Sequence, residues 1–346
     1  MKSSKSFPIN LNKKVTSRIA RIVKVSLLTL LILGGLAFSL PFILATTLRE
    51  SPGSTISNQF PVTVNPRNKT ITENAGVNMY LQTNHSLLQA AAISTENILQ
   101  KIFEVVAVSI SEIPFYQNMA AAGSNSFVTI GVGFRKEQVA DAFAKKLGWT
   151  SKQKKEFLTP IASSTLPRSE GSFFPGLYAV GAGTTPLQAQ IMVNERFSNE
   201  VFDHYGTTTE QIVPLDQALI IASLIQRETA GTDGMRLISG ILWNRLFANM
   251  RLQVDATLQY AESNSKQNKV WWPTVEPADK FIKSPYNTYM NSGLPPTPIA
   301  NPSVAAILAA LNPIKTDCLY YFNDKKGKFH CSATYEEHKK LIAEYY

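Results

Sequence analysis

Residues 220–232, IIASLIQRETAGT, read as an apolar helix that ends on a glutamate. Helical spacing puts Ile221, Leu224, Ile225 and Glu228 on one face, and Ala230-Gly231-Thr232 breaks the helix directly afterwards. A carboxylate thus lies in line with an apolar stripe, in the last helical turn, where the backbone carries partial negative charge. Both surroundings raise a carboxyl pKa and hold its proton near neutral pH, the state a general acid needs. On pattern alone, an ordinary solvated glutamate fits the same position.

Outward from this helix, which the spacing extends over Asp216–Thr229, other helical patterns cover Ser86–Val108, Lys136–Leu147, Pro186–Arg196, Met235–Phe247 and Pro302–Leu311. Short strands are predicted at Phe60–Val64 and Phe127–Ile130. Leu319–Phe322 and Lys328–Cys331 flank the turn Asn323–Gly327 as a hairpin. Helices and strands mix without a regular strand–helix repeat, which makes the fold class α+β.

Val25–Ala45 is an uncharged run long enough to span a bilayer as a helix. Residues 1–24 before it carry Lys2, Lys5, Lys13, Lys14, Arg18, Arg21 and Lys24 and no acid, which keeps the N-terminus in the cytoplasm and sends everything after Ala45 outside. The expected organisation is a basic tail (1–24), a transmembrane helix (25–45), a linker (46–59), a membrane-proximal segment (60–125) and a catalytic domain (126–346). A cleaved signal peptide, with Ala37-Phe38-Ser39 as its site, is the competing reading of the same apolar run. Of the formal net charge of +9, seven positive residues lie in the tail, so the rest of the chain has no basic character of the kind nucleic-acid binding needs.

The two cysteines, Cys318 and Cys331, and the four histidines, His85, His204, His330 and His338, lack metal-ligand spacing, so no metal or other cofactor is expected. If Phe322 faces Lys328 across the terminal hairpin, Cys318 and Cys331 fall nearly opposite, within reach of a disulfide; two buried thiols are the alternative.

Three stretches carry side chains suited to reading sugar hydroxyls. Read as extended, RLQVDATLQY puts Gln253, Asp255 and Thr257 on one face. Tyr286-Asn287-Thr288-Tyr289 follows, and then the proline-stiffened loop Gly293–Ile299. Rings that stack on sugar faces and amides that bind hydroxyls suit a glycan groove, and a surface edge with a structural proline loop fits as well.

In order and spacing, ASLIQRETA, WNRLFANMRLQVDATLQYA, SPYNTYMNSGLPPTPIANPS and LYYFNDKKGKFHCSATYEEH resemble the YceG-like (MltG) endolytic murein transglycosylases over about residues 222–338. Upstream, VTIGVGFRKEQVADAFAKKL and EGSFFPGLYAV resemble that family's strand–helix unit and turn. The resemblance implies a single-pass inner-membrane enzyme with its catalytic domain outside the cytoplasm. Such an enzyme cuts peptidoglycan glycan strands internally and without hydrolysis, leaving 1,6-anhydro-N-acetylmuramic acid ends. It implies Glu228 as the catalytic residue and Gln253, Asp255, Thr257, Tyr286, Asn287, Thr288 and Tyr289 as cleft residues, with penicillin-binding proteins as partners. The chain departs from the family at 60–125, where a LysM-like module is not evident, at Gly131-Val132-Gly133, where Pro-Glu-Gly is common, and at Cys331, where the family places an aromatic. A non-catalytic glycan-binding scaffold and a hydrolase using Asp255 as second carboxylate are the alternatives.

Overall fold

The computed structural model describes residues 59–75, 77, 126–159, 170–228, 232–265 and 270–345. Val25–Ala45 and the helix expected at Ser86–Val108 lie outside them. Among the described residues, no helix is long and apolar enough to cross a membrane.

The architecture is α+β. Three two-stranded antiparallel sheets occur among the described residues: β1 (Val64–Asn65) with β2 (Thr70–Ile71), β3 (Ser126–Ile130) with β4 (Gly176–Val180), and β5 (Tyr320–Asn323) with β6 (Phe329–Ser332). The helices are α1 (Lys136–Leu147), α2 (Ser151–Leu158), α3 (Pro186–Glu200), α4 (Thr207–Ile212), α5 (Leu215–Glu228), α6 (Thr232–Phe247), α7 (Asp255–Ser265), α8 (Val304–Leu311) and α9 (Tyr335–Tyr345).

Two apolar cores divide this material. The smaller packs β3 and β4 against α1, α2 and α3 through Val128, Tyr178, Phe143, Phe157 and Val193. Its helices start and stop where the sequence dictates. Gln138 accepts the Arg135 N–H at the start of α1, and Gly148, left-handed at φ 68°, closes it. Thr185 caps α3 ahead of Pro186. The larger core is built on α5, every residue of which from Ala218 to Ile225 is buried. The apolar helix α8, VAAILAAL, and α6 cover it.

Phe60 and Val64 belong to this larger core, so the chain immediately after the linker is part of the same packed unit as α5 and α8. The strand expected over Phe60–Val64 is corrected. Only Val64 and Asn65 pair with β2, because the Phe60 N–H bonds the His204 carbonyl and the Thr63 N–H bonds the Leu311 carbonyl instead of a neighbouring strand.

Asn301 joins the two cores. Its Oδ1 accepts the N–H groups of Gly171 (3.1 Å) and Phe173 (2.9 Å), and its Nδ2 donates to the Phe134 carbonyl (2.8 Å). Its own backbone pairs with Phe134 and Gly133, and the side chain is fully buried.

Cys318 and Cys331 are bridged, with Cα atoms 5.8 Å apart. The register differs from the expected one: Phe322 faces His330 and Tyr321 faces Cys331, so Cys318 lies before β5. The Leu319 N–H, bonded to the Ser332 carbonyl, folds the chain back far enough for the bridge to close. One hairpin face carries Tyr321 and Phe329 toward the larger core, and the other carries Phe322 and His330 toward His338 and Tyr345 of α9.

Candidate active site

The last turn of α5 ends on Glu228, which is half-buried. Its Oε2 accepts a hydrogen bond from the Tyr321 hydroxyl on β5 at 2.9 Å. Burial holds its pKa above the usual carboxylate value, and the negative charge of Asp255 pushes the same way. The Tyr321 hydrogen bond and the positive charges of Arg227 and Arg245 pull against them without prevailing. The Tyr321 phenol is itself raised well above its ordinary value by burial and by the glutamate, so it remains a proton donor to the carboxylate.

Arg245, near the end of α6, is buried beside this pair. Its Nε donates to the Leu319 carbonyl at 2.6 Å and its Nη1 to that of Leu252 at 2.5 Å. It therefore holds the hairpin and the 249–254 loop against α6 while lending its charge to the site. Asp255 opens α7 and is exposed; its Oδ1 accepts the Tyr289 hydroxyl at 2.5 Å. Burial, then Asp255, raises the Tyr289 phenol.

The extended reading of residues 253–257 is corrected. Gln253 has φ 52°, and α7 starts two residues later. Thr257 is fully buried in the first turn, its hydroxyl bonding the Val254 carbonyl (2.6 Å) and pairing with the Thr288 hydroxyl (2.9 Å). A helix wins because Asp255 suits the positive N-terminus and because Ala256 and Tyr260, four apart, then face the larger core together.

The expected cleft residues accordingly separate. Gln253 and Asp255 are exposed, and Tyr286 and Tyr289 are half-buried, so these four reach the surface. Thr257, Asn287 and Thr288 are buried, and their side chains bond neighbouring protein groups. Asn287 donates to the Lys280 and Ile282 carbonyls (3.0 and 2.8 Å) and accepts the Tyr289 N–H (2.9 Å). Thr288 accepts the Val254 N–H at 3.0 Å. Together they lock the 286–289 loop onto the start of α7, which sets Tyr289 against Asp255. Tyr286 bonds the Thr297 hydroxyl of the proline loop at 2.9 Å and packs on Tyr260.

Tyr321 and Arg245 were not singled out from sequence. The alternation of LYYFN marks Tyr321 as facing one side of a strand, but which side depends on the hairpin register. Arg245 offered only an arginine in an apolar helix. Among the described residues, no group of three His, Cys, Asp or Glu side chains could hold a metal ion. The site is therefore one half-buried acid, a phenol that positions it and a second, solvated carboxylate, an arrangement suited to protonating and deprotonating oxygens.

A model of the YceG-like family matches residues 82–344. An endolytic murein transglycosylase of Streptococcus pneumoniae serotype 2 (strain D39) is 31% identical over 230 residues, 61% of this chain and 40% of the relative. One of Bacillus subtilis (strain 168) is 30% identical over 245 residues, 65% of this chain and 66% of the relative. The chain thus spans less than half the length of the pneumococcal protein. A crystal structure of a yceG-like protein from Listeria monocytogenes superposes with a TM-score of 0.52 at 28% identity, covering 62% of this chain and 75% of that one.

Proposed function

This chain belongs to the YceG-like family, and on that premise we propose that it is an endolytic lytic transglycosylase acting on the glycan strands of peptidoglycan. The observation that carries the reading is Glu228 itself. It is a half-buried carboxyl with a raised pKa, held by Tyr321, at the end of the helix whose sequence the family resemblance covers.

The chemistry follows from one carboxyl group. Glu228 gives its proton to the glycosidic oxygen as the bond from that oxygen to C1 of the muramic residue breaks. The C6 hydroxyl of the same residue attacks C1, and its proton returns to Glu228, closing the 1,6-anhydro ring. The attack is intramolecular, so no positioned water is needed. Asp255 adds negative charge near the positively charged transition state, and Tyr289 fixes its orientation.

A two-carboxylate hydrolase, with the exposed Asp255 as second carboxylate, is the second reading. Product mass separates them, since anhydro ends are one water lighter than hydrolysed ends. The Glu228→Gln protein is expected to fold and to lose at least about 10²–10⁴-fold in cleavage. Activity within a few-fold of wild type overturns the assignment.

The basic tail and the apolar run Val25–Ala45 support a single-pass anchor in the cell membrane, with the catalytic part outside the cytoplasm and penicillin-binding proteins of the synthesis machinery as neighbours. Full-length protein that alkali does not extract from membranes is the expected result; a soluble form beginning near Leu40 overturns it.

A further inference from the structure

Arg227 precedes Glu228 on α5 and serves neither core. Its guanidinium stacks on the Trp272 ring at 3.8 Å from the ring centroid. Its Nε is buried without a hydrogen-bond partner, and Arg227 forms no ion pair among the described residues. Gly133 also lies against it, and its left-handed backbone (φ +74°) leaves room for the group: a Cβ there would sit 3.3 Å from Nη1. The Gly133 N–H is in turn fixed to the Asn301 carbonyl at 2.8 Å, so this wall does not give way.

A cation in the last turn of a helix is favoured by the backbone alone. That accounts for the charge. It does not account for a guanidinium stacked on an indole and set against a glycine, with its buried Nε unpartnered. Arg245, the buried arginine of the site, by contrast donates to backbone carbonyls through both Nε and Nη1. A planar fork of donors, oriented by stacking and without an acceptor among the described residues, is the form in which arginine binds carboxylates.

We propose that Arg227, oriented by Trp272, is a substrate carboxylate-binding subsite beside Glu228. The inference rests on the transglycosylase reading and deepens it. In peptidoglycan, C3 of the muramic residue that reacts at C1 carries a lactyl ether. Its carboxyl is free in a denuded strand and extended by a peptide, with carboxylates of its own, in a dressed one. The lactyl carboxyl puts an anion within about one sugar ring of the bond that Glu228 protonates, a stem-peptide carboxylate lies further out along a flexible chain, and the long side chain of the residue preceding Glu228 is placed to take either. The subsite selects for the muramic residue, and against the carboxyl-free glucosamine, at the position where the anhydro ring forms.

The test measures strand binding to the Glu228→Gln protein by equilibrium dialysis, so turnover does not intervene. The probes are denuded strands and peptide-bearing strands, each with carboxyls free or methyl-esterified. Free carboxyls are expected to bind about 10-fold more tightly than esters. Adding Arg227→Gln is expected to bring that ratio to about one, while Arg227→Lys keeps part of it, having the charge without the fork. A ratio confined to the denuded pair identifies the lactyl group as the anion; one confined to the dressed pair identifies the peptide. Equal weakening of free and esterified strands by Arg227→Gln assigns the residue to packing and overturns the inference. So does no effect on either, or no measurable binding of any strand. Failure of the wild-type protein to cleave strands overturns the transglycosylase reading, while the dialysis ratio still decides the subsite.

Discussion

The hydroxyl of Tyr321 reaches the carboxylate of Glu228 at 2.9 Å from 93 residues away in sequence. The acid sits at the end of a core helix, and the group that holds it rides on a hairpin closed by a disulfide. Tyr321 stabilises the charged form of Glu228 and so works against the burial that raises its pKa. Tyr321→Phe should therefore raise the glutamate pKa further. A general acid is lost as pH rises through its pKa, so the alkaline limb of kcat/KM should move to higher pH, while kcat falls by about 10-fold or more because the acid is no longer fixed. An alkaline limb that stays in place would show that the hydrogen bond is structural only.

Asp255 acts on Glu228 with the opposite sign, since its negative charge raises the glutamate pKa. Asp255→Asn should shift the same limb to lower pH and cost less activity than Glu228→Gln. Tyr289→Phe removes the hydroxyl that Asp255 accepts, and the two changes should be non-additive in a double-mutant cycle. Additive losses would separate the two residues, and a loss for Asp255→Asn equal to that of Glu228→Gln, with products one water heavier, would favour the hydrolase.

Glu170 supplies a stability prediction away from the chemistry. It is buried, takes the Lys136 N–H at 2.7 Å, and has its pKa pushed up to about 8, mainly by burial and then by Glu137. The folded protein holds this proton more tightly than the unfolded chain does. Stability from this group is thus complete below the ordinary carboxyl value of 4.5 and declines as pH rises toward about 8. Glu170→Gln, neutral at every pH, should flatten the fall of Tm between those limits. A wild-type Tm whose pH slope the substitution leaves unchanged would contradict the assignment.

The Cys318–Cys331 bridge closes a short loop around the strand that carries Tyr321. Replacing both cysteines by alanine should cost about 2–4 kcal/mol of stability. It should also lower activity beyond what the stability loss explains, because β5 delivers Tyr321. Unchanged denaturation midpoints with and without reductant would count against the staple.

The helices around the site were legible wherever pattern and caps agreed. Lys136–Leu147, with Gly148 after it, has its observed limits, and the helix ending at Glu228 is located to within a residue. Glu228 stood out because an acid at the end of an apolar stripe conflicts with local preference. The RLQVDATLQY stretch misled because its even-numbered apolar residues satisfy a strand and a short buried helix alike; only the burial of Thr257, a tertiary fact, separates them. Helices α2 and α9 went unread because their polar faces dominate their sequences, SKQKKEFL and YEEHKKLIAEY. Tyr321 and Arg227 could not be read because their roles depend on partners remote in sequence, Glu228 and Trp272.

Asn301 has a consequence for cooperativity. Two separate apolar cores would ordinarily melt as two units. Here one buried amide satisfies the N–H groups of Gly171 and Phe173 on one side and the carbonyl of Phe134 on another, and it lies between the strand module and α8. Parting the cores leaves these groups without partners, so neither melts without exposing the other's cost. Calorimetry of the intact protein should show one transition, and Asn301→Ala should split it into two, with the strand module unfolding first. The two cores are thereby expected to move as one body rather than to swing about a hinge.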